Sequence, residues 1–163
     1  DTVSQRPEDF AELLGKAVRS EDPQLRYAAA RALSKQGEKR LALLRVLAKD
    51  ADERVRGESA RGLAQVETPG DGILQLLTEM LADRSNRVRS AARRALVGFG
   101  IQARPALLRA LGGTDWRQRY QAAEAFARHP ELVNDDVRER VRKQLDQEKS
   151  GLVKRILGEI VKR

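Results

Sequence analysis

The chain has 163 residues, which at roughly 100 to 200 residues per domain reads as a single domain or one array of small units. Hydrophobic residues make up 40% and charged residues 34%, which argues against disorder, and 32 basic against 24 acidic residues give a net charge of +8. Zero cysteines and one histidine exclude disulfides, thiolate metal sites and cysteine nucleophiles and leave too few soft ligands for zinc, so neither a metal nor a cofactor is expected.

Along the chain, apolar residues recur at helical spacing. Phe10, Leu13, Leu14, Ala17 and Val18 predict a first helix, with Pro7 in its first turn. Asp22 caps a second, opened by Pro23 and carrying an inner stripe of Leu25, Ala29, Ala32 and Leu33. Leu41, Leu44, Leu47 and Ala48 predict a third, and Asp52 caps a fourth anchored on Val55. Ile73, Leu76, Leu77, Met80 and Leu81 mark a fifth, and Ser85 caps a sixth anchored on Val88. Behind Pro105, residues Ala106, Leu107, Leu108 and Leu111 mark a seventh; Asp115 caps an eighth, with Gln118 at the anchor. Val137, Val141 and Leu145 mark a ninth, with Asp135 and Asp136 as first-turn acids favourable to the helix dipole. Ser150 caps a tenth, anchored on Leu152. Gly37, Gly70, Gly98 and Gly112 fall just past helix ends, where a left-handed residue is expected. No segment alternates with period two, so the protein is predicted to be all-α.

The even-numbered helices repeat one another. Asp22-Pro-Gln-Leu-Arg-Tyr-Ala-Ala-Ala-Arg-Ala-Leu33 aligns with Asp52 to Leu63, with Ser85 to Leu96 and with Asp115 to Phe126, and a fifth, weaker copy runs from Leu152 to Ile160. The anchors Leu25, Val55, Val88, Gln118 and Leu152 stand 30, 33, 30 and 34 residues apart, room for two short helices and two turns. Each unit is therefore a hairpin of an outer helix A and a repeated helix B, over residues 7–36, 38–66, 71–99, 101–128 and 131–163. The motif Asp-x-x-Val-Arg-x-x-Ala-x-x-Ala-Leu resembles that of HEAT-repeat arrays, and is similar to the short HEAT-like repeats of phycobilin lyases. The units are shorter than the roughly 40 to 47 residues of typical HEAT repeats.

That resemblance implies a right-handed α-solenoid of about five hairpins, one repeat domain over 1–163, stabilised by stacking of neighbours. It implies a non-enzymatic scaffold or adaptor that binds another protein, or another domain of its own chain, through a concave B-helix surface. The chain begins with Asp1 and not Met, so a fragment of a longer protein, including a non-catalytic domain appended to an enzyme, is a further reading. No apolar run is long enough for membrane insertion, residues 1–20 lack a signal-like apolar stretch, and a cytoplasmic location is expected.

Two sets of arginines stand at fixed offsets. Arg26, Arg56, Arg89 and Arg119 follow the anchor, and Asp22, Asp52, Ser85 and Asp115 precede it by three. The resemblance implies that these rows form a structural ladder between units, except where Ser85 lacks the charge. Arg54, Arg87 and Arg117 stand one residue before the anchor, and Arg31, Arg61 and Arg94 six after it. Offsets seven apart lie about 20° from one another on a helix, so these six are expected to form one exposed ridge, either a binding surface or a solvated face paired with Glu53, Glu58 and Glu124. Tyr27 and Tyr120 share an outward offset, and Trp116 starts the eighth helix. Aromatics beside arginines suit an acidic protein surface or, as the alternative partner, nucleic acid.

Catalytic readings find little support. A di-iron hydroxylase of HEAT-like fold needs repeated His-Glu pairs, and His129, followed by Pro130, is read as a helix-end residue. A HEAT-like glycosylase would want an acid beside aromatics, which Asp115, Trp116 and Tyr120 suit only loosely, since Asp115 is already a cap. The likeness to phycobilin lyases raises chaperone-like chromophore transfer, which no residue pattern specifies. Finally, Leu152, Val153, Ile156, Leu157, Ile160 and Val161 spread across half of the last helix, so this edge is expected to be covered by a further segment, a second copy or crystal contacts.

Overall fold

Ten α-helices and no β-strand make up the regular structure among the described residues, 7–35 and 41–162 of the computed structural model. They are α1 (Pro7–Val18), α2 (Pro23–Leu33), α3 (Leu41–Leu47), α4 (Glu53–Leu63), α5 (Asp71–Met80), α6 (Asn86–Gly98), α7 (Arg104–Leu111), α8 (Trp116–Arg128), α9 (Asp135–Gln147) and α10 (Gly151–Val161). Short 3₁₀ turns occupy Gly100–Ala103 and Pro130–Leu132. The all-α class and the alternation of A and B helices are as the sequence predicts. Contacts along the chain define two compact units, Asp1–Val66 and Glu67–Arg163. In the first, α2 packs on α1, α3 and α4, and α3 on α1 and α4. In the second, each helix from α5 to α8 packs on the helix two places ahead, and α5 with α6, α7 with α8 and α9 with α10 pair as hairpins.

The cap residue sets the register of each B helix. Counted from it, positions 3, 7, 8, 10 and 11 face inward, as in α4, where Val55, Ser59, Ala60, Gly62 and Leu63 are all buried. In α8 the same face carries Ala122, Ala123, Ala125 and Phe126. Small side chains let backbones approach, and one leucine or phenylalanine per helix fills the volume left. Gln118, at the anchor of α8, donates from Nε2 to the Thr78 carbonyl at 2.9 Å, so a hydrogen bond replaces the aliphatic contact.

This register corrects the fifth copy. Position 3 after Ser150 is Val153, fully buried, whereas Leu152 is 49% exposed, so the anchor is Val153. The cover expected over the α10 stripe is supplied inside the second unit: Ile156, Leu157 and Ile160 are buried because α8 and α9 pack against α10. In the first copy the anchor Leu25 stays 51% exposed.

The glycine expectations change as well. Gly70 is the N-cap of α5 at φ −72°, Gly98 closes α6, and Gly112 sits at φ −90°. Among the described residues only Gly100 takes a positive φ, 58°, where the chain leaves α6 for the following 3₁₀ turn. Gly37 lies outside the described residues.

Gly62 answers to packing. A Cβ there would stand 2.8 Å from Leu44 Cδ2 and 2.9 Å from the Ser34 Cα, and the latter is backbone that cannot swing away. Alanine gains up to about 1 kcal/mol in helix propensity, yet overpacking of this kind costs about 1 to 3 kcal/mol. Gly62→Ala is expected to be net destabilising in urea unfolding.

Candidate partner-binding surface

The loops between A and B helices draw on three recurring devices. First, an aspartate caps the B helix: Asp22, Asp52 and Asp115 accept from the N–H two residues on at 2.7 to 2.8 Å, while Ser85 and Ser150 cap by position alone, without a side-chain bond. Second, the arginine after the anchor reaches back. Its Nη1 donates to the carbonyls six and five residues earlier in the first four copies: Arg26 to Ser20 and Glu21, Arg56 to Asp50 and Ala51, Arg89 to Asp83 and Arg84, Arg119 to Gly113 and Thr114, at 2.7 to 3.0 Å. Third, an acid two residues before the cap accepts the cap residue's N–H, as Asp50, Asp83 and Glu148 do at 2.8 to 2.9 Å.

Asp50 and Glu148 also receive an arginine from the preceding hairpin. Arg26 binds Asp50 at 2.6 and 3.0 Å, and Arg119 binds Glu148 at 2.7 and 2.8 Å, each by a two-pronged contact that Lys could not make. The structural reading of these arginines is thus sound, but their acidic partner differs from the expected one: capping occupies Asp22, Asp52 and Asp115, and the acid two residues upstream takes the guanidinium. Arg89 has Gly113 at the corresponding place in the next loop. The Arg119 hydrogen bonds, aided by the Ser150 amide and Gln144, hold the Glu148 carboxyl at about 2 although burial opposes it. Burial also pushes Asp50 up, but the Arg26 and Asp52 N–H donors outweigh it and keep it below the usual range. The Arg54 side chain and N–H hold Asp52 at about 2.

The six ridge arginines separate into free and engaged groups. In the first unit Arg31 is exposed and has no ion-pair partner among the described residues. Arg61 pairs with Glu58 at 2.7 Å, and Arg54 pairs with Asp52 at 2.8 Å while its guanidinium carbon stands 6.0 Å from the half-buried Tyr27 ring. In the second unit Arg87 and Arg94 are exposed and likewise unpaired. Arg117 shares Asp115 at 3.1 Å and lies 5.5 Å from the Trp116 ring. Trp116 is 42% exposed, and Tyr120 lines a separate recess with Glu124, Arg128 and Arg155. Glu124 does not serve the ridge. It binds Arg128 at 2.8 Å and Arg93 at 3.5 Å.

Three features escaped the sequence reading. Arg93 occupies an inward position, held by Gln121 Oε1 at 3.0 Å, and nothing in the motif marks it. Asp50 and Glu148 do carry a signal, their fixed distance of two residues before the cap. His129 ends α8 as expected and lies 3.0 Å from Glu131. Among the described residues no group of three or more His, Asp or Glu side chains is placed to hold a metal, and no helix is long and apolar enough to cross a membrane.

Comparison with solved structures gives the same architecture in several settings. A structure reported for TOG–tubulin binding specificity superposes with a TM-score of 0.64 at 16% identity, over 98% of this chain and 83% of that one. The CpcE–CpcF complex of phycocyanin lyase from Nostoc sp. matches at 0.55 and 21% identity, over 92% and 96% of the respective chains. An engineered protein matches at 0.53 and 22%, over 93% and 77%. No curated protein matches the sequence significantly. The profile of HEAT repeats matches residues 10–97, more than half of the sequence and three of its five hairpins. On that match and its cap-and-anchor register, the chain belongs to the HEAT-repeat family.

Proposed function

We propose that the protein is a non-enzymatic scaffold whose B helices bind an acidic surface of another protein, or of another domain of its own chain. The observation that carries this reading is the state of Arg31, Arg87 and Arg94: exposed and without an ion pair among the described residues, on helices whose opposite faces are sealed. Stability gives no reason to keep a bare guanidinium there, and an array of stacked hairpins offers its lateral surface for recognition. One structural neighbour concerns TOG–tubulin binding specificity and another is the CpcE–CpcF complex, which supports the same class of partner.

Nucleic acid is the competing partner, favoured by the net charge of +8. The test compares capture of proteins from nuclease-treated native lysate by the chain and by a variant with Arg31, Arg54, Arg61, Arg87, Arg94 and Arg117 changed to Glu. Capture that survives nuclease and fails with the variant is expected. Oligonucleotide titrations at two salt concentrations supply the other arm. A steep salt slope there, with log affinity falling by about 0.9 per phosphate neutralised on duplex DNA, would transfer the function to nucleic acid.

A further inference from the structure

We propose that the recess at the starts of α8 and α10 docks an extended acidic segment of a partner protein, one aliphatic side chain flanked by carboxylates. The inference rests on the protein-binding reading above and gives it a second, separate address. The recess measures about 620 Å³, and Trp116, Arg117, Lys149 and Leu152 are among its lining residues.

Its floor is apolar without structural need. Three large apolar side chains remain exposed in the second unit, and two of them, Trp116 and Leu152, line this one recess. Leu152 stands outside the buried register, since Val153 is the anchor. Trp116 holds the first helical position, which Pro23, Glu53, Asn86 and Gly151 occupy in the other B helices. Small or polar residues therefore serve the fold equally well there, and about half of each apolar side chain is left for a ligand to cover.

The rim selects the charge. Arg119 offers nothing to a ligand, because Glu148 and two backbone carbonyls take its donors. Asp115 is turned to its own helix, accepting from the Arg117 N–H at 2.7 Å and from Arg117 Nη1 at 3.1 Å. What remains outward is Arg117, 41% exposed, and Lys149, exposed and without an ion pair among the described residues. Ser150 also leaves the first amides of α10 without a side-chain acceptor. Carboxylates beside an aliphatic group satisfy all of these at once. A nucleic-acid strand suits the recess less well, for Leu152 offers no stacking face.

Trp116 is the only tryptophan, so its fluorescence reports on the recess directly. The probe is the peptide acetyl-Asp-Glu-Leu-Glu-Asp-amide. A saturable change in emission is expected, with binding about tenfold weaker when serine replaces the peptide's leucine, and about tenfold weaker again in Lys149→Glu or Leu152→Ser chains. Both substituted side chains are exposed, and an unchanged far-UV spectrum checks the fold. An Arg87→Glu/Arg94→Glu chain should respond as the parent does. The proposal is overturned by an unsaturable response, by equal response to the serine peptide, or by tighter binding of oligothymidylate. A parent-like peptide response beside unchanged lysate capture by the double variant would count against the B-helix reading alone. Loss of capture without any peptide response would count against the recess alone.

Discussion

Glu148→Ala should lower the stability of the chain by about 3 kcal/mol or more, the usual cost of leaving one member of a buried ion pair unpaired. The Glu148 side chain is fully buried and Arg119 is 13% exposed, so the guanidinium left behind keeps only its carbonyl contacts. The loss extends beyond the pair, because Glu148 also accepts the Lys149 and Ser150 amides that turn the chain into α10. Urea unfolding of parent and variant at neutral pH checks the magnitude. The pH dependence follows from the sign of the shift. The folded carboxyl sits at about 2, below its ordinary 4.5, so its stabilisation is complete above about pH 4.5 and is lost as the pH falls toward 2. The difference between parent and Glu148→Ala should therefore shrink across that window; a difference constant from pH 7 to about 2.5 would contradict the assignment.

Phe126→Ala should cost about 3 to 5 kcal/mol. Phe126 is 1% exposed and heads the set of fully buried side chains by volume. On its own helix the inward positions before it are Ala122, Ala123 and Ala125, which have no rotamers with which to refill the space. Phe126→Leu should cost under about 1.5 kcal/mol, because Leu33, Leu63 and Leu96 hold the equivalent position in α2, α4 and α6. Thermal unfolding of the two variants side by side separates cavity from residue identity; equal losses would show that the aromatic ring itself is required.

The periodic features were legible because the repeat writes them several times over. Caps, anchors and the small-residue stripe recur at fixed offsets, so four copies reinforce one another. The same regularity misled at the last copy, where Leu152 and Val153 are adjacent and equally apolar; only the distance from Ser150 decides between them. The outside cover expected for α10 was misjudged for a related reason. A wide apolar stripe looks unpartnered when neighbours are counted along the sequence, yet α8 and α9 cover most of it in space. Of the surface, exposure was legible and pairing was not. Arg31, Arg87 and Arg94 share their periodic offsets with Arg61 and Arg54, and what separates the bare from the engaged is the chance of a carboxylate within one turn. Arg93 was hidden because a charged residue at an inward position contradicts the pattern, and only Gln121 and Glu124 on the next B helix make it tolerable.

The backward reach of the arginine after each anchor carries a consequence for change over time. Its acceptors are carbonyl oxygens, which every amino acid supplies, so the clamp holds a loop of Ser20-Glu21, Asp50-Ala51, Asp83-Arg84 or Gly113-Thr114 equally well. Shape is thereby uncoupled from spelling at these bends. Side chains that take no part in capping or ion pairing, unlike Asp50 and Asp83, can then change there, acquire a new specificity or accept a grafted epitope, while the bend that displays them stays as it was.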